Sequence, residues 1–143
     1  MQEKKPKYLW KRPKEIQEMY FGFDWDNKKI WALDLLVVDI NIENLIWHFD
    51  LPFWELENTY EYNCSPQDVL DAKEGTKLHQ ERIKNADTSH PIDIYFIKEK
   101  SKYGILDGLH RVVRLYKSGQ KIIKVRILPE ERIQDVLRDK NAV

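Results

Sequence analysis

The most regular alternation of apolar and polar positions lies in the last third of the chain. Pro91 precedes Ile92-Asp93-Ile94-Tyr95-Phe96-Ile97, a β-branched and aromatic run that reads as a strand. A charged turn from Lys98 to Lys102 then leads to Tyr103-Gly104-Ile105-Leu106 as its hairpin partner. Asp107-Gly108 opens a helix in which Leu109, Val112, Val113 and Tyr116 recur at i, i+3, i+4 and i+7, and Ser118-Gly119 stops it as a glycine C-terminal cap does. Ile122 to Leu128 is a third strand, with Ile123, Val125 and Ile127 alternating against Lys124 and Arg126, and Pro129 starts a helix running to about Arg138.

Earlier elements are shorter. Residues 16–26 hold a dense aromatic patch of Tyr20, Phe21, Phe23 and Trp25, and 30–38 read as a strand. Asn41 caps a helix from Ile42 to about Phe49, which Pro52 ends. Ser65-Pro66-Gln67-Asp68 is a helix start, with Ser as cap, Pro in the first turn and an acid at the positive end of the dipole, and Gly75 closes that helix. A further helix spans Thr76 to about Ala86. Residues 1–15 are Lys/Pro-rich without a sustained period, a flexible basic arm with Tyr8 and Trp10 as anchors, so 16–143 is expected as a single domain. Strand, strand, helix, strand, helix in succession predicts an α+β fold, a small mixed sheet with flanking helices.

A domain of 143 residues can bury a real core without staples. The lone Cys64 makes no internal disulfide and no Cys/His cluster has zinc spacing, and together with the lack of a leader or a long apolar stretch this points to a cytoplasmic protein with no membrane partner. The formal charge is zero, which argues against a protein held to polyanions by bulk charge. That zero is a cancellation. Residues 1–15 carry six Lys/Arg against two Glu, 16–74 three against thirteen acids, 75–128 twelve against five, and 129–143 three against four. Thirteen of the seventeen aromatics fall at or before Tyr62. An acidic, aromatic half packing against a basic half explains this, and so does a basic half built around an anion site.

The candidate site is Leu106-Asp107-Gly108-Leu109-His110-Arg111, where a strand hands over to a helix. A helix's first turn has unpaired N–H groups and the positive end of the dipole, which together attract anions. Gly108 lets a bulky oxyanion approach the backbone, and Arg111 and Arg114, one turn apart opposite the apolar stripe, suit phosphate oxygens. His110 is placed to donate to a phosphate or to transfer a proton. The same spacing also describes an ordinary capped helix with a solvated face, in which Asp107 is a cap and Gly108 a turn residue. His48 and His79 read as ordinary amphipathic-helix positions, and Trp47, Phe49, Phe53 and Trp54 as core.

The Pro91-Ile92 strand, the Asp107-Gly108-Leu109-His110-Arg111 turn, Gly119 at the helix end and the strand Ile122 to Leu128 together resemble the ParB/sulfiredoxin superfamily. Its members show a Pro-Ile strand, a D-G-x-H-R turn, a helix-terminal glycine and a V-x-V strand. The resemblance is specific over 90–128, and reaches 30–130 if Leu33 to Leu51 is taken as the family's first strand and helix. It implies that Asp107, Gly108, His110 and Arg111 lie on the phosphate side of a bound nucleotide such as ATP, ADP or CTP, with Mg²⁺. It also implies that the loop carrying His90 approaches that nucleotide, while Arg114 is added from helix geometry. Phosphoryl chemistry needs a carboxylate besides the cations, and Asp39 and Glu43 are the candidates where the family often places an acid.

Two departures narrow what is implied. Leu109 stands where sulfiredoxins place a reactive cysteine, which removes peroxiredoxin repair, and 129–143 is too short for the helix-turn-helix module of chromosome-partition members. The expectation is a stand-alone member that hydrolyses a nucleoside phosphate or transfers its phosphoryl group to a small-molecule acceptor. The alternative is a non-catalytic binding module for nucleic acid or protein, or a nuclease-like member. Nucleic acid is not favoured, because the acidic first half repels a duplex.

Overall fold

The sheet is built on two strands that each send alternate apolar residues into one core. In the computed structural model, which describes residues 13–18 and 22–139, β2 (Ile92–Ile97) and β4 (Ile122–Ile127) run parallel at the centre, with Ile92 opposite Val125. Ile92, Ile94, Ile123 and Val125 are buried in one cluster with Val112 and Val113 of the helix α5 (Leu109–Lys117). Full burial of an Ile or Val side chain stabilises by roughly 1.5–3 kcal/mol, which makes this cluster the main support of the fold.

Two strands flank this pair. β1 (Val37–Asn41) is antiparallel to β4, and β3 (Lys102–Asp107) is antiparallel to β2, giving a four-stranded mixed sheet in the order β1-β4-β2-β3. The molecule is thus a small α+β protein. Two short helices, α3 (Pro66–Leu70) and α4 (Lys77–Lys84), join α5 over the larger core. The opposite face carries a smaller core of Phe23, Ile30, Leu106, Leu128 and Val136. It is closed by α2 (Asn27–Trp31) and by a 3₁₀ segment, Glu130–Asp135, after which Leu137 bridges to Trp25. A short helix α1 (Lys14–Glu18) precedes these, and no helix among the described residues is long and apolar enough to cross a membrane. Most of the expected basic arm, with its anchors Tyr8 and Trp10, and the aromatics Tyr20 and Phe21 lie outside the described residues.

The hairpin, α5 and β4 form where the sequence places them. Ser65 also caps α3 as expected, in a reciprocal box with Asp68, but the helix stops at Leu70, well before Gly75. The run 30–38 is not one strand. Ile30 and Trp31 belong to α2, whose cap Asp26 accepts from the Lys28 N–H, and the strand begins only at Val37. Short apolar runs have no period that separates buried helix from strand, and Ile30 is fully buried in the smaller core. Asn41 caps the next segment by accepting from the Glu43 N–H, but the expected helix is two 3₁₀ segments, Ile42–Asn44 and Ile46–Asp50. Leu45 O, which an α-helix would give to Phe49, is taken by both the backbone N–H and the Nδ1–H of His48. The C-terminal helix is likewise only the 3₁₀ segment already named.

That 3₁₀ turn protects the exposed edge of β3, which would otherwise present unpaired backbone groups. His48 Nε2 accepts from the Ile105 N–H at 3.0 Å, and Trp47 Nε1–H donates to Tyr103 O at 3.0 Å. His48 is buried, and desolvation pushes its imidazole down to about 4. Between pH 6.5 and about 4 the unfolded chain therefore binds a proton that the folded chain refuses. Stability from this group is complete above 6.5 and falls as pH drops through that window, by roughly 3 kcal/mol in all. Urea unfolding at a series of pH values should show this fall in the wild type and a flatter profile in His48→Gln.

Candidate functional site

One extra residue in β3 builds the site. Ile94 pairs with Ile105 but Asp93 pairs with Asp107, so Leu106 and Asp107 together oppose a single residue of β2. Strict alternation would put Asp107 on the face of Ile105, toward the larger core. The bulge turns it instead to the face of Asp93 and Arg126, the same face on which Leu106 fills the smaller core. The carbonyl of Leu106 receives the indole N–H of Trp25 at 3.1 Å.

Asp107 is held by three donors: Trp31 Nε1–H at 2.7 Å, Arg111 Nη2 at 3.1 Å and Asn27 Nδ2 at 3.4 Å. Arg111 also donates through Nη1 to Pro91 O at 2.8 Å, tying the start of β2 to the end of β3. Beside them Arg126 pairs with Asp93 at 2.7 Å and donates to the carbonyls of Leu33 and Ile30. Burial pushes the Asp93 carboxyl up, outweighing the pull of Arg126. Gly108 then turns the chain into α5 at φ +111° and, having no side chain, supplies no cap to the helix's first turn. A Cβ at Gly108 would lie 2.9 Å from Arg111 Nη2 and 3.0 Å from Ile92 Cδ1.

Asp107 and Arg111 form the ridge between two clefts. The first, about 530 Å³, has aromatic walls of Trp25, Phe53, Trp54 and Tyr62, and its floor is the Asp107–Arg111 turn. Among the described residues its two arginines are both paired, Arg111 with Asp107 and Arg138 with Asp24 at 3.3 Å. The second cleft, also about 530 Å³, is lined by Trp31, His90, Pro91, Asp93 and Arg126 together with the ridge. His90 is exposed there and lies 3.4 Å from Asp87, whose carboxyl is held below its usual range chiefly by the Ser89 hydroxyl.

His110 stacks on Trp54 with ring centroids 4.1 Å apart and planes 13° from parallel. Its Nε2 is 3.1 Å from Nδ1 of His79, a fully buried α4 residue whose Nε2 donates to Glu55 O at 2.9 Å. His79 lies on a helix as expected, but on its buried face and against the site.

Of the expected site residues, Asp107, Gly108, His110 and Arg111 come together at the first cleft, and His90 joins Asp107 and Arg111 at the second. Three do not join them. Asp39 sits on β1, at the edge of the sheet opposite Asp107, and pairs with Lys124 at 3.3 Å. Glu43 is exposed in the turn after β1. Arg114 reaches the other way, donating to the carbonyls of Ile83 and Lys84 at the C-terminal end of α4, where a cation complements the dipole. Arg111 is not solvated either, its side chain being 16% exposed.

Sequence reasoning missed Trp31, Asn27, Asp93, Arg126, Trp54 and His79. A carboxylate between Ile92 and Ile94, and an arginine between Val125 and Ile127, were visible signs of a buried pair. Nothing in the local pattern marked Trp54 and His79, which meet His110 only through packing.

Gly108→Ala should destabilise the fold by about 1–3 kcal/mol, since it adds a strained left-handed φ and a clash with Arg111. A midpoint in thermal or urea unfolding equal to wild type would contradict this geometry. Compared with protein-family models, with curated proteins and with solved structures, the chain matches none.

Proposed function

We propose that the protein binds a nucleoside phosphate such as ATP, ADP or CTP in the first cleft, and hydrolyses it or transfers its phosphoryl group to a small-molecule acceptor. The observation that carries this reading is the first turn of α5, to which Gly108 gives no side-chain cap, opening onto an aromatic-walled cleft with His110 and Arg111 on that same turn. A base stacks on aromatic faces, and phosphate oxygens accept from helix N-terminal amides. The resemblance over 90–128 supports the same assignment.

Arg111 enters by exchange. Its Nη2 leaves Asp107 for a phosphate oxygen, while Trp31 and Asn27 continue to satisfy the carboxylate. This favours ligands with charge-dense oxygens over weaker acceptors. His110 is the group on hand for proton transfer with the attacking hydroxyl.

Among the described residues no group of three His, Cys, Asp or Glu is placed to hold a metal ion. The adjacent carboxylates Asp93 and Asp107 are taken up by Arg126 and by Trp31 and Arg111. These residues do not fit a dedicated magnesium site. Magnesium belongs in this reading with the nucleotide's own phosphates, a common arrangement for that ion.

Thermal unfolding with each nucleotide and Mg²⁺ tests the proposal. A ligand at 100 times its Kd adds about 2.7 kcal/mol, so a rise of several degrees in Tm is expected for the wild type. Arg111→Ala should lose that rise relative to its own baseline, and His110→Asn should keep it while any turnover falls by about 10²–10⁴-fold. A wild-type Tm that no nucleotide raises would overturn the assignment. Salt-sensitive binding to DNA or RNA in its place would move the function to polyanion recognition.

A further inference from the structure

The chain of rings from Glu55 to His110 has a direction. A carbonyl oxygen only accepts, so the nitrogen that His79 turns to Glu55 O at 2.9 Å, Nε2, carries a proton. In the neutral ring Nδ1 then carries the lone pair, and the nitrogen 3.1 Å from it, His110 Nε2, must be the donor. That leaves the basic lone pair of a neutral His110 on Nδ1. Stacking holds this arrangement in place. Trp54 lies against His79 at 4.8 Å and 10° and against His110 at 4.1 Å and 13°, so neither ring can turn without losing a face contact. His79 is 1% exposed on α4 and Trp54, at an isolated bridge to Cys64, is 4% exposed, so both rings are packed into the interior.

We propose that His79 is a positioning residue, which fixes His110 as the Nε2–H tautomer and so makes His110 Nδ1 the atom that handles the proton in phosphoryl transfer. This rests on the function proposed above. In the step itself the attacking hydroxyl gives its proton to His110 Nδ1 and its oxygen pair forms the new P–O bond. The bond from phosphorus to the bridging oxygen breaks, and its electron pair leaves on the departing nucleotide. The arrangement is that of a ligating or catalytic imidazole whose second nitrogen is held by an outer partner, except that here the partner is another imidazole anchored on a backbone carbonyl.

Nitrogen-15 NMR of the full chain reads the tautomer directly, without any nucleotide. The wild type at neutral pH should show His110 with a protonated, slowly exchanging Nε2 and an unprotonated Nδ1. His79→Phe keeps a ring on Trp54 and removes the acceptor, so the Nε2–H signal of His110 should vanish into solvent exchange while the amide spectrum stays that of the folded protein. With nucleotide, kcat of that variant should drop roughly 10–100-fold with KM changed less than about 3-fold. His79→Asn, which restores an acceptor, should recover part of the loss, whereas a residue acting by packing alone would be rescued better by Phe. A wild-type His110 protonated on Nδ1, or a His79→Phe kcat equal to wild type, overturns the proposal. A wild type with the expected tautomer that neither binds nor turns over nucleotide overturns the function proposed above and upholds the His79–His110 coupling.

Discussion

The extra residue at Leu106 is the constraint from which the rest of the site follows. Side chains on a strand alternate, so a single inserted residue reverses which face every later position addresses. Because of it Asp107 stands beside Asp93 and Arg126 and within reach of α2, on the face where Leu106 fills the smaller core. The carbonyl left without a partner in the ladder is satisfied by Trp25. Gly108 must then turn sharply, and the small space over it is filled by the guanidinium of Arg111, which closes back on Asp107 and Pro91. Remove the bulge and Asp107 would be an unpaired carboxylate aimed at Val112 and Val113.

The charges around the two clefts are arranged as internal pairs. Arg111 faces Asp107, Arg126 faces Asp93 and Arg138 faces Asp24. One of these, Arg138 with Asp24, joins the acidic early part of the chain to a later arginine, as Asp39 with Lys124 joins it to a later lysine, so part of the polarised charge pattern holds the halves together. A buried pair of this kind contributes little net stability, because desolvation offsets most of the attraction. The upward push on Asp93 despite its arginine is that offset made visible. What such pairs do supply is geometry: an anion entering the first cleft meets a guanidinium already oriented, and must offer oxygens good enough to replace a carboxylate.

A second organising group is aromatic. Trp54 carries the two histidines of the site side by side on one face, and Trp25 and Trp31 donate to the bulge carbonyl and to Asp107. The early concentration of aromatics is therefore used as scaffold for polar groups that come from the later, basic part. Core packing accounts for Phe49 and Trp54, but Trp31 remains 56% exposed at the rim of the second cleft.

How much of this could be read in advance depended on range. The hairpin of β2 and β3, the start of α5 at Gly108 and the alternation of β4 rest on periods and turn residues that act over a few positions, and they stand where the local pattern puts them. The Asp107 to Arg111 turn was likewise legible as a candidate site because glycine, helix start and cations are neighbours in sequence. The apolar run from Ile30 was not, since burial of Ile30 under the sheet, and not any local period, decides that it is helical. Arg114 and Arg111 lie one turn apart with similar local surroundings, yet one caps α4 and the other closes on Asp107. His79 and His110 are thirty-one positions apart and meet only because α4 and α5 pack side by side. Hydrogen bonds and ring stacks between distant elements carry no trace in spacing, so the sequence alone specified the helix start and its cations, and the packing of α4, Trp54 and the β3 bulge determined which of them share a cleft.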